Sequence, residues 1–148
     1  PPVVAAALLA PFDRALASLT DPGDERAFVF LGGHAADAPQ LRGYGILPAP
    51  SLATPCAEAI FCTEVFNRRA LPGRCLSRVE VLGDAVRGDD AAVATVAAAE
   101  LRRWSGTRAS LPFAKVHRFR GPGDPAAAVE RHTRLAAVAA CFAGLTLV

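Results

Sequence analysis

At 148 residues the chain is long enough for one hydrophobic core and short for two. Hydrophobic residues make up 52% and charged residues 20%, a balance that excludes a disordered chain. The net charge is only +2, and the arginines (Arg68, Arg69, Arg87, Arg102, Arg103, Arg118, Arg120) are scattered rather than gathered with aromatics, so nucleic acid is excluded as the expected partner.

Methionine is absent, even at position 1, which points to a processed or partial chain. The opening PPVVAAALLA is apolar but has no basic flank, so no retained signal peptide is expected. Val3 to Leu9 fits either a short strand or the first turns of a helix, and Pro11 interrupts both. Phe12, Leu16 and Leu19 then mark one face of a helix over 12–19. TDPGDE turns the chain, and Phe28, Val29, Phe30 and Leu31 form a run apolar on both sides, which predicts a central strand. Residues 32–55, rich in Gly, Pro and Ala, read as a long loop of the kind that carries function.

A helix is expected to open at Cys56 and run to about Ala70, where Leu71-Pro72-Gly73 ends it. Residues 75–83 set Cys75, Val79 and Val81 against Leu76, Arg78 and Glu80, the alternation of a strand. The clearest helix starts at Asp89 or Asp90, lines one face with Val93, Val96, Ala97 and Leu101, and stops at Gly106. Residues 111–119 alternate as another strand, and Pro125 suits the first position of a last helix over 125–143. The apolar run from Leu135 to Val148 is broken by Gly144 and falls short of the ~20 residues that cross a bilayer, so no membrane span is expected. Strands alternating with helices predict one α/β domain over 1–148 with a partly parallel sheet.

The four cysteines, Cys56, Cys62, Cys75 and Cys141, include no C-x-x-C pair, and His34, His117 and His132 lie far apart. No metal site and no disulfide framework are expected, which favours a reducing intracellular or organellar compartment. Cys56 is the candidate nucleophile. At a helix start, unpaired N–H groups and the helix dipole lower a thiol's pKa. The competing reading is a small hydrophobe packed in the core, as expected for Cys62, Cys75 and Cys141. A resolving partner is missing: position 59 is Ala59, and Cys62 lies nearly two helical turns on, about 9 Å along the axis.

The order of elements, with a cysteine after the first long strand and a proline opening a later one, resembles the thioredoxin-like fold family. AFVFLGG corresponds to the strand before the active site, PCAEA stands where the family has W-C-x-x-C, and SLPFAKVHRF stands where it has its cis-proline strand. The resemblance implies a thioredoxin-like sandwich with a central mixed sheet of about four strands flanked by helices. It implies a cis Leu111–Pro112 bond beside Cys56, with Pro55, Leu111 and Pro112 contacting a partner. With Pro55 and Ala59 in place of the family's tryptophan and second cysteine, the site is degenerate. The expected function is therefore a non-catalytic thioredoxin-like domain, an interaction module or structural subunit of a larger complex with a protein partner and no cofactor. The alternative is a monothiol redox or thiol-binding protein using Cys56. Dithiol-disulfide reductase activity is not expected in either case.

Overall fold

The computed structural model describes residues 24–121, together with Val129 and Thr133. The expected segments over 3–9, 12–19 and 125–143, and Cys141, lie outside the described residues. The chain forms two compact units, one of residues 25–119 and the other of residues 1–24 and 120–148. Of the second unit, the Gly121 amide donates to the Asp24 carbonyl at 2.9 Å.

The elements in chain order are β1 (Glu25–His34), a 3-10 turn (Ala35–Asp37), β2 (Gly45–Ile46), β3 (Cys56–Ile60), α1 (Cys62–Val65), β4 (Arg74–Leu82), a second 3-10 turn (Gly83–Val86), α2 (Asp90–Ser105) and β5 (Phe113–Arg120). The strands form one five-stranded sheet in the order β2-β3-β4-β1-β5. The α/β class holds. The sheet has five strands rather than about four, and the β1–β4, β2–β3 and β3–β4 pairings are all antiparallel rather than mixed.

The segments 27–31, 76–82 and 113–119 fall on three neighbouring strands, as their sequence patterns predict. In β1, Ala27, Val29 and Leu31 turn into the core while Phe28 and Phe30 face the other way, half-buried. Their partners across β4 include Val81 opposite Ala27 and Val79 opposite Val29. On this inner face lies α2, whose Val93, Ala97 and Leu101 are 0% exposed and repeat every four residues. Burying Leu101 alone contributes roughly 1.5–3 kcal/mol. The helix opens where the Asp89 side chain accepts from the Ala92 amide at 2.7 Å. It closes at Gly106, which adopts a left-handed φ of 70°.

Two expectations need correction. The segment from Cys56 is a strand, not the start of a helix, and only Cys62–Val65 is helical before the turn at 71–73. Its pairing with β4 explains this: Cys56 lies opposite Val81 and Glu58 opposite Glu80, so Ala57 is an extra residue in a β-bulge. The bulge puts Cys56 and Ala59 on one buried face at a spacing of three, which mimics a helix repeat. The loop over 32–55 is also shorter than expected, because β1 continues to His34 and β2 forms the sheet edge beside β3. At the far end of β1, Gly33 lies so close to the chain entering β5 that an added Cβ would sit 2.4 Å from the Ser110 carbonyl oxygen. No side chain fits there.

Candidate functional site

Cys56 sits in β3, 2% exposed, with its amide donating to Thr54 Oγ1 at 3.2 Å. Thr54 in turn donates to Glu100 of α2 at 2.8 Å, and Arg103 binds Glu100 at 2.8 Å and the Ala53 carbonyl at 3.3 Å. This polar knot ties the approach to β3 onto the helix and closes the end of the core over the thiol. Burial pushes the Cys56 pKa up from 9.0 to about 12, Glu100 adds to the rise, and Arg103 opposes it. The environment is the reverse of one that makes a reactive thiolate.

The other two thiols among the described residues are buried too. Cys62, its pKa also raised by burial, donates to the Ile60 carbonyl at 3.7 Å, and Cys75 donates to the His34 carbonyl at 3.8 Å. The core reading expected for these two fits their positions.

Leu111 and Pro112 are not brought to Cys56. No cis peptide bond occurs among the described residues, so the Leu111–Pro112 bond is trans. Leu111 packs on the core, and Pro112 stands just before β5, where a missing amide forfeits no ladder bond. Two strands lie between β3 and β5, a lateral separation of about 14 Å. The two sites also lie at opposite ends of the strands. Cys56 shares its row with Val81 and Ala27, whereas Pro112 lies by Gly32 and Gly33, which pair with Leu76 and Cys75. From Val81 to Cys75 along β4 is about 20 Å. Pro55 is exposed at the start of β3, where its carbonyl accepts from the Leu82 amide at 2.8 Å.

Two constellations emerge that the sequence reading did not single out. On the outer face of the sheet, Arg78 pairs with Glu58 and Arg26 with Glu80 at 3.0 Å. The Arg78 guanidinium lies 4.2 Å from the centre of the Phe28 ring, which packs at a tilt of 36° against Phe119 with ring centres 4.4 Å apart. At the Pro112 end of the sheet lies a groove of about 470 Å³, whose lining includes Gly32, Gly33, Arg69, Arg74, Pro112 and Phe113. One signal for the groove was present in the sequence: Arg68, Arg69 and Arg74 cluster around Leu71-Pro72-Gly73. The groove presents apolar walls and cationic groups.

No family model and no curated protein matches the chain. Among solved structures, it is similar to the crystal structure of a protein from Exiguobacterium sp. 255-15 provisionally named a protoporphyrinogen oxidase. The TM-score is 0.75 at 16% identity, and the match covers 100% of this chain and 34% of that one. The likeness is one of fold, and the chain spans about a third of that protein's length. Among the described residues, no helix is long and apolar enough to cross a membrane.

Proposed function

We propose that this chain is a non-catalytic structural part of a longer oxidase of the protoporphyrinogen oxidase kind. It supplies folded scaffold rather than the electron-transfer centre. The observation that carries the reading is the full-length fold match to one third of the Exiguobacterium protein. It keeps the expected role of a module within a larger assembly.

Two features support the non-catalytic half. Dinucleotide-binding folds hold their cofactor outside the carboxyl ends of parallel strands. The paired strands here run antiparallel and offer no such crevice among the described residues. The described thiols are buried, and Cys56, the candidate nucleophile, keeps its proton. The monothiol alternative therefore has no observation in its favour. The thioredoxin-like form of the module also loses its support, because it needs Pro112 beside Cys56.

The test is to isolate the native polypeptide that contains this sequence and to assay protoporphyrinogen oxidation by the fluorescence of the porphyrin product. A polypeptide about three times this length that turns over, with none from the 148-residue chain alone, is the expected result. Turnover by the short chain would overturn the non-catalytic reading. A longer polypeptide with no porphyrinogen oxidation would overturn the oxidase assignment.

A further inference from the structure

The segment joining α1 to β4 reads N-R-R-A-L-P-G-R over 67–74. Arg68 adopts a φ of 63°, and the Arg74 amide donates to the Leu71 carbonyl at 3.0 Å, so the segment closes into a tight turn at the head of β4. The turn faces the chain entering β5, and the groove runs between them. Its floor is the Gly32–Gly33 backbone with Cys75 and Leu76 beside it, and its apolar sides are Leu71 on the turn and Phe113 on β5. Both side chains are strongly exposed for their type, Leu71 at 77% and Phe113 at 53%.

The charge in the groove has one sign. Arg69 and Arg74 line it and no acidic side chain does. Neither arginine takes part in any of the six ion pairs among the described residues. Arg69 lies over the Phe66 ring at 5.3 Å, a contact that leaves its N–H donors free for an anion. A guanidinium presents a planar fork that matches a carboxylate two bonds at a time. The groove volume lies within the ~300–1,000 Å³ usual for small-molecule sites.

We infer that this groove binds a small amphipathic carboxylate. Its apolar body lies on Leu71, Leu76 and Phe113, and Arg69 and Arg74 hold its carboxylate. The groove lies wholly within the unit of residues 25–119, and the inference stands whether or not the chain is part of a longer oxidase.

Titration calorimetry of the full chain with dodecanoate, below its micelle concentration, tests this. Dodecyltrimethylammonium carries the same tail with the opposite head charge, and acetate carries the head without the tail. Saturable one-to-one binding of dodecanoate alone is expected, weakened at least tenfold in the double variant Arg69→Glu/Arg74→Glu and unchanged in Arg87→Glu. Leu71→Ser, at a position too exposed to disturb folding, should weaken it severalfold with the charges intact. No dodecanoate binding, equal binding of the cationic detergent, or full affinity in the Arg69→Glu/Arg74→Glu and Leu71→Ser proteins would each overturn the assignment.

Discussion

Cys56 is the residue on which a redox function would depend, and its reactivity can be worked out from its surroundings. Its pKa is pushed from 9.0 to about 12, chiefly by burial. At about pH 8 three units of pKa lower the thiolate fraction roughly a thousandfold. Access lowers the rate further, because the residue is 2% exposed. A chromogenic disulfide reagent followed by stopped flow should therefore show no fast native phase that disappears in Cys56→Ser. Labelling of Cys56 should instead track opening of the β3–α2 contact and accelerate with sub-denaturing urea. The same shift links to stability. A folded-state pKa above the unfolded one means that the native protein holds a proton the unfolded chain has released. The contribution is present in full below pH 9.0 and is lost as pH rises toward about 12. The slope is about 1.4 kcal/mol per pH unit within that window. Cys56→Ala should flatten this part of the alkaline stability profile relative to the parent. A rapid native reaction at Cys56, or an alkaline profile unchanged by Cys56→Ala, would refute the reasoning.

Three further outcomes follow from the packing. Leu101→Ala empties a site that is fully enclosed and should lower urea-unfolding stability by about 2–5 kcal/mol; a loss under about 1 kcal/mol would mean that α2 is not seated on the sheet as described. Gly33→Ala should cost about 1–3 kcal/mol, since the new methyl would meet the Ser110 carbonyl at 2.4 Å; an unchanged unfolding midpoint would show that the entry to β5 is free to shift. Asp89→Ala removes the acceptor for the Ala92 amide and should cost about 1 kcal/mol, with Asp89→Ser retaining most of the stability.

The legible part of the sequence was the part whose periodicity reports its surroundings. β4 alternates cleanly because α2 covers one side of it, and α2 reads as a helix because Val93, Ala97 and Leu101 follow its turn from a capping aspartate to a left-handed glycine. β1 could be recognised as an interior strand because Phe28 and Phe30 fill the second face, although β4 is the middle strand of the five. β3 could not be recognised, since its bulge removes the two-residue period that identifies a strand and leaves a spacing of three. β2 has only two residues and no pattern to read. The expected helix start at Cys56 was lost with β3: in a strand, no helix terminus lowers its pKa. The groove was hidden for another reason. It is assembled from residues near 32, 70 and 112, which only the antiparallel strand order brings together.

The outer face shows why the bulge at Ala57 matters to the whole sheet. With the bulge in place, Glu58 stands directly opposite Glu80, and like charges so placed repel. Each glutamate is instead taken up by an arginine, Glu58 by Arg78 on β4 and Glu80 by Arg26 on β1, so one charge network crosses three strands. Half-buried pairs of this kind add little net stability, because their desolvation nearly cancels their attraction. They do discriminate between registers. Sliding β3 by one residue against β4 would turn Glu58 toward Val79 and Val81 and leave Arg78 without its partner. Burying that carboxylate unpaired costs far more than the pair gains. The network therefore fixes which residues of β3 face α2, and so keeps Cys56 beside the Thr54–Glu100–Arg103 knot.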